Sequence, residues 1–391
     1  MIDHVSTVDT LIERAEELYR DTSFPSVSAW KERTGMPAVG FMPIYIPREL
    51  LHAHGVLPVG IMGAGDIEIV RGDAYYQSYI CHIPRSVVEL GLNGSLDCLD
   101  GMIFPAICDV IRNLSGMWTM MFPGKLVHYL DVPHDFSREI GGGFYRHDLE
   151  VLSERLVAVG GRPLTDDALR ASIKVWNRNH QAVRDLYALR RAEPWRVPTS
   201  ELYLLLRAGL VLPVEEHTPM LEQYLQLARD DDSRVPMDQA RVLLAGSFCE
   251  QPPLGLIKTI ERAGCYIVDD DFVQVTRWLR HDVSTDGNPL DNLVNAFLED
   301  SIDSPTRYIG EAEKGKALVD RVEECGAEGV VFCAPSFCDP ALLDQPMAVA
   351  AIERAGIPWT AFKYSENTGQ FQVIREQAGT FADSIKLWSP A

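Results

Sequence analysis

The chain has 391 residues and a net charge of −20, from 36 Lys and Arg against 56 Asp and Glu; 46% of residues are hydrophobic and 24% charged. These are ordinary proportions for a soluble globular protein of one to three domains. The acidic balance argues against nucleic acid or an anionic membrane as a general partner, because both need a basic surface. No apolar run approaches the ~20 residues that span a bilayer.

The opening MIDHVSTVDTLIERAEELYR reads as an acidic amphipathic helix rather than a targeting peptide, so the expected compartment is the cytoplasm. AVGFMPIYIP (38–47) predicts a strand, PRELLHAHG (47–55) a short helix, and PVGIMGA (58–64) a second strand. A helix is expected over 75–92, with Pro84 starting a new turn or kinking it. A strand over 100–108, a helix over 109–121 and a strand over 125–133 follow. From about 135 to 235 the periodicity is helical, as in DDALRASIKVWNRNHQAVRDLYALRR (166–191). Gly141-Gly142-Gly143 is read as a flexible loop, since no strand feeds a helix there.

Alternation resumes with strands at 240–248, 265–272, 328–336 and 357–365. Helices are expected at 252–264, 288–300, 311–325, 340–356 and 369–388. The expected fold is α/β: an N-terminal parallel-sheet domain (1–135), a mostly helical domain (136–237) and a C-terminal parallel-sheet domain (238–391). No close internal repeat is evident.

Eight cysteines stand at 81, 98, 108, 249, 265, 325, 333 and 338, with no C-x-x-C pair. Disulfides are not expected in a cytosolic chain, and each cysteine alone reads first as a small buried hydrophobe. Open parallel sheets bind ligands beyond the carboxyl ends of their strands. Cys108 and Cys338 each follow a third strand and start a helix, where the dipole favours a thiolate. Cys81 follows the second strand. The three are candidates to converge on one ligand. Asp269, Asp270 and Asp271 end a strand without a metal motif and read as caps or solvated loop charge. His52 reads as a packing residue.

The chain resembles the 2-hydroxyacyl-CoA dehydratase and benzoyl-CoA reductase family from end to end. The stretches that carry the resemblance include IPRELLHAHGVLPVGIMG (46–63), DAYYQSYICHIPRSVVELGL (73–92), FPAICDVIRNLSGMW (104–118), GSFCEQPPL (246–254), APSFCDPALL (334–343) and YSENTGQFQVIREQAGTFADSIKLW (364–388). The resemblance implies two α/β domains with a helical domain, and a 4Fe–4S cluster held by Cys81, Cys108 and Cys338. Three thiolates would leave one iron open to water or a substrate oxygen. Cys333 and Cys249 stand as alternative or additional ligands, with Cys333 read as a buried strand residue. Arg85, Ser86 and Arg112 would donate hydrogen bonds near the sulfurs, bind CoA phosphate, or serve only as surface partners. Tyr45, Glu49 and His82 are candidate proton donors.

Within the family the likeness is strongest to the smaller catalytic-module subunit of ATP-dependent reductases. That implies an oxidoreductase converting benzoyl-CoA to cyclohexa-1,5-diene-1-carbonyl-CoA by two electrons and two protons. The implied partners are a larger homologous catalytic subunit, two ATPase subunits with a bridging 4Fe–4S cluster, and ferredoxin as electron donor. The absence of G-x-x-x-x-G-K-[ST] accords with ATP being bound elsewhere. The alternative is an iron–sulfur subunit of a 2-hydroxyacyl-CoA dehydratase, in which no net reduction occurs.

Overall fold

The computed structural model describes residues 7–63, 68–249, 251–307, 314–365 and 371–388. Helices α1 (Val8–Arg20) and α2 (Pro25–Thr34) precede β1 (Ala38–Phe41), α3 (Arg48–Ala53), β2 (Leu57–Gly60), α4 (His82–Leu92), β3 (Gly101–Pro105), α5 (Asp109–Met121) and β4 (Leu126–Leu130). Four helices come next: α6 (Gly143–Ala158), α7 (Asp166–Ala192), α8 (Thr199–Ala208) and α9 (Val214–Asp230). The chain then runs β5 (Ala240–Ala245), α10 (Leu254–Arg262), β6 (Cys265–Asp270), α11 (Pro289–Asp300), α12 (Lys316–Cys325), β7 (Gly329–Pro335), α13 (Asp339–Arg354), β8 (Trp359–Tyr364) and α14 (Phe371–Trp388).

The expected α/β class is what the molecule adopts. The strands form two parallel sheets, ordered β2-β1-β3-β4 and β6-β5-β7-β8. The two orders are the same, so the halves repeat one topology although no repeat stands out in the sequence. In each sheet the connections reverse direction between the central strands, β1 and β3 or β5 and β7. That reversal opens a crevice at their carboxyl ends. Strand β7 is buried at every position, which explains its unbroken apolar run.

Local chemistry accounts for the long helices. Thr165 caps α7 by accepting from the Ala168 amide. Asp166 and Asp167 fill its first turn and Arg190 and Arg191 its last, matching the helix dipole. Helix α7 packs against α3, α9 and β6, so one element touches both halves, while α1 packs on α8. No helix among the described residues is long and apolar enough to cross a membrane.

Three local expectations are corrected. The strands are shorter than expected, and β1 stops at Phe41 because Pro43 and Pro47 deny it ladder donors. Helix α4 starts at His82, not at residue 75; Pro84 sits in its first turn, where a missing amide costs nothing. Cys81 is therefore an N-cap and not a mid-helix residue. Gly141-Gly142-Gly143 is no open loop: Arg138–Gly142 form a π-helical turn that runs into α6. A Cβ on Gly141 would lie 1.7 Å from the Asp135 carbonyl oxygen, so only glycine admits that approach. Parts of four expected elements, at 1–6, 64, 311–313 and 369–370, lie outside the described residues.

Candidate metal centre

One loop forms the corner of the crevice in each half. Beyond β7 the chain runs Pro335-Ser336-Phe337-Cys338-Asp339, and Cys338 caps α13. Beyond β3 it runs Pro105-Ala106-Ile107-Cys108-Asp109, and Cys108 caps α5. The same P-x-x-C-D spacing thus sets one cysteine at the matching corner of each half. Phe337 has φ of +65°, a strained value for a non-glycine residue immediately before Cys338. Ile44, before Tyr45 in the first half, has φ of +85°.

Four cysteines act on one another across these crevices. Cys249 shares a side-chain hydrogen bond with Cys338, and Cys338, Cys81 and Cys108 all raise its pKa. Burial raises the Cys108 thiol; the amides of Ile111 and Val110 oppose that, and Cys338 reinforces it. Tyr76 is pushed up by burial and then by Cys81 and Cys108. Thiols so placed resist ionisation on their own, and a bound cation reverses that balance by displacing their protons. Among the described residues, no three or more His, Cys, Asp or Glu side chains are grouped closely enough to hold a single metal ion. The donor set is soft and all-sulfur, and it begins three helices. That chemistry fits iron with sulfide better than zinc with imidazole or magnesium with oxygen.

Cys333 lies elsewhere. It is buried within β7, its thiol meets Ser247, and burial pushes it up to about 12. Cys265 is likewise raised to about 12 by burial, and Cys98 and Cys325 are raised for the same reason.

The other candidates divide. His82 follows Cys81 and is buried; burial and then Arg85 lower it to about 3, so the ring is neutral. Arg85 donates to Asp73 (2.7 Å), and Ser86 donates to the Ile83 carbonyl (3.0 Å) within its own helix. Arg112 is exposed on α5, with its guanidinium 6.0 Å from the Tyr129 ring centre.

Tyr45 follows β1 toward the first crevice, and Glu49 lies on the next helix, α3. Tyr45 packs on Trp278 (5.9 Å) and Phe297 (5.4 Å), and its buried hydroxyl has no hydrogen-bond partner among the described residues. These rings line a narrow cleft with Pro105, Ala106 and Phe136, two residues upstream of Cys108. Glu49 is buried on α3, 3.9 Å from His180 Nε2. Burial raises its carboxyl, with Arg48 and His52 pulling the other way. His52 bridges Ser172 and Glu215, each at 2.8 Å, in accord with a packing role.

The reading of Asp269, Asp270 and Asp271 as solvated loop charge is overturned. All three are buried at the end of β6. Asp269 meets Arg191 (2.5 Å), Arg277 (3.0 Å) and Arg321 (3.4 Å). Burial pushes Asp269 up, but Arg277, Arg321 and Arg191 outweigh it and hold it well below the usual carboxylate range. Asp270 accepts from Tyr187 (3.0 Å) and lies 2.7 Å from Arg190 Nη2, at an angle that makes an ion pair without a hydrogen bond. Asp271 accepts from Arg321 (2.6 Å) and from the Gly246 amide (2.8 Å), which ties the network to the loop bearing Cys249. The signal for it is remote in sequence: the arginines come from α7, from the segment after β6 and from α12.

Comparison with known proteins gives the chain's family. A family profile described as "2-hydroxyglutaryl-CoA dehydratase, D-component" matches residues 43–385. A benzoyl-CoA reductase subunit from Thauera aromatica is 56% identical, over 98% of this chain and 100% of the relative. The beta subunit of (R)-2-hydroxyglutaryl-CoA dehydratase from Acidaminococcus fermentans is 28% identical, over 95% of this chain and 98% of the relative. The (R)-phenyllactyl-CoA dehydratase beta subunit of Clostridium sporogenes is 25% identical, over 90% and 93%. The chain belongs to the 2-hydroxyglutaryl-CoA dehydratase D-component family.

Proposed function

We propose that this chain is one subunit of the catalytic module of an ATP-dependent benzoyl-CoA reductase in the cytoplasm. The observation that carries the reading is 56% identity to the Thauera aromatica benzoyl-CoA reductase subunit, sustained over 98% of the chain. The reaction adds two electrons and two protons to benzoyl-CoA and gives cyclohexa-1,5-diene-1-carbonyl-CoA. A larger homologous subunit completes the module, and ferredoxin feeds electrons through a separate pair of ATPase subunits with a bridging 4Fe–4S cluster.

Cys81, Cys108 and Cys338 hold a 4Fe–4S cluster, and their convergence supports that assignment. When bound, the cluster supplies single electrons at low potential. The chain's residues handle the rest. Burial keeps Glu49 protonated to higher pH than an ordinary carboxyl and keeps the Tyr45 hydroxyl neutral, so both retain a proton to give. His82, neutral beside Cys81, adds no positive charge to the thiols. The Tyr45 cleft has largely aromatic and apolar walls, and at about 20 Å³ it has room for about one water, so a planar ring would enter only if the cleft widens. Arg112, exposed on α5, would be free to meet a CoA phosphate, whereas Arg85 and Ser86 donate to Asp73 and Ile83.

Product analysis tests the reading. The anaerobic complex is given benzoyl-CoA, reduced ferredoxin and ATP. The dienoyl-CoA is the expected product; dehydration of a 2-hydroxyacyl-CoA without diene formation overturns the reading in favour of a dehydratase.

A further inference from the structure

We propose that Cys249 is a fourth thiolate of the same centre, closing it so that no iron of this subunit is left open to substrate. The proposal rests on the cluster reading above and changes its chemistry.

The fold brings Cys249 there independently of Cys338's own loop. Strands β5 and β7 are hydrogen-bonded neighbours at the middle of the second sheet, with Ala245 opposite Phe332. Cys249 lies just past the end of β5 and Cys338 just past the end of β7, so both thiols come from the same crevice mouth. Both are nearly enclosed, at 7% and 3% exposure, with the Cys249 and Cys338 sulfurs in a shared hydrogen bond. Cys333 makes the contrast. It lies nearer to Cys338 in sequence, yet its thiol turns to Ser247 within the strand.

The Cys249 loop is held in place. The Gly246 amide donates to Asp271 (2.8 Å), and Gly246 has φ of +101°, a turn that suits glycine. Gln251 Nε2 donates to the Ser247 and Phe248 carbonyls (3.0 and 3.3 Å), while its Oε1 accepts from the Val273 amide (3.0 Å).

Each half then supplies two thiols: Cys81 and Cys108 from the first, Cys249 and Cys338 from the second. Four thiolates are the ligand set of electron-transfer clusters, whereas three leave a position for water or substrate. A closed centre passes an electron without bonding the acyl group, so substrate binding falls to neighbouring protein surface or to the partner subunit.

The test is electron paramagnetic resonance on the full-length chain, reconstituted anaerobically with iron and sulfide and then reduced, with and without imidazole as an exogenous ligand. Wild type should keep its spectrum unchanged when imidazole is added. Cys249→Ala should retain iron on the remaining thiolates and shift its spectrum with imidazole. A wild-type spectrum that shifts with imidazole overturns the proposal even if the variant misfolds. So does a Cys249→Ala spectrum identical to wild type in both conditions. A wild-type chain that binds no iron sinks the cluster assignment itself, and this proposal with it.

Discussion

The two sheet-bearing halves share strand order and a P-x-x-C-D corner, yet they finish their crevices differently. In the first half, the strand beside the corner leads into aromatic and apolar surface, with Tyr45 against Trp278 and Phe297. Close packing there relies on a small residue: a Cβ on Gly63 would lie 2.4 Å from Ser86 Oγ, so α4 and its Cys81 cap approach the end of β2 directly. In the second half, the equivalent strand leads to Cys249, and the end of β6 is a buried network of three aspartates and four arginines. One topology thus serves two tasks. The first half offers a narrow, largely aromatic cleft, and the second anchors a thiol loop with charge.

The largest expected effect breaks the ionic side of this comparison. Asp269→Asn leaves Arg191, Arg277 and Arg321 without their shared carboxylate in a buried setting. Uncompensated buried charge costs about 3–5 kcal/mol, so chemical denaturation should show a loss of that order. A change below about 1 kcal/mol would mean that the network does not anchor the second half.

Acid should act next, on the helices between the sheets. His180 is lowered to about 3 by burial, then by Arg48 and Arg184; His217 is lowered to about 4, chiefly by burial. His217 Nε2 donates to the Leu205 carbonyl (3.0 Å) and its Nδ1 accepts from Asn179 (3.0 Å), so the native ring has one proton. Unfolding lets both rings protonate near pH 6.5. Below that, the unfolded state binds more protons, and stability falls with pH until the folded values are reached. At pH 5 each histidine contributes a loss of about 2 kcal/mol relative to pH 7. Glu49 works in the opposite sense. Its raised carboxyl carries a penalty that shrinks as pH falls toward the unfolded value, so the net loss is smaller than the two histidines alone give. Denaturation midpoints at pH 7 and 5 check this, and replacing His217 with Gln should flatten the slope.

Gly63→Ala sharpens the first half. Its φ of +70° and the contact with Ser86 together predict a loss of about 1–2 kcal/mol. Ser86→Ala in the same chain should recover part of it if the close approach is the cause. The smallest effect belongs to Arg85→Gln. Its partner Asp73 is half exposed, so loss of the pair should cost under about 1 kcal/mol. A much larger loss would give Arg85 a role beyond that ion pair.

Much of this was legible locally. Helix α5 runs over the residues its apolar spacing predicts, and Cys108 and Cys338 sit at helix starts, where Asp109 opens one helix and Asp339-Pro340 the other. What escaped was set by distant partners. Asp269, Asp270 and Asp271 look like loop charge until Arg190, Arg191, Arg277 and Arg321 arrive from elsewhere in the chain. Cys81 looks mid-helical because Tyr75–Ile80 continue an apolar pattern that the backbone does not follow. Cys249 and Cys333 cannot be separated by spacing alone. Only the pairing of β5 with β7 places one at the crevice mouth and leaves the other inside a strand.

Iron and acid-labile sulfide content of the anaerobically reconstituted chain tests most directly whether the two halves hold one centre. One cluster per chain is expected in wild type and in Cys333→Ala, with iron lost alike from the double variants that remove both thiols of one half, Cys81→Ala with Cys108→Ala in the first and Cys249→Ala with Cys338→Ala in the second. Full iron retention by either of those last two variants would contradict a centre shared between the halves.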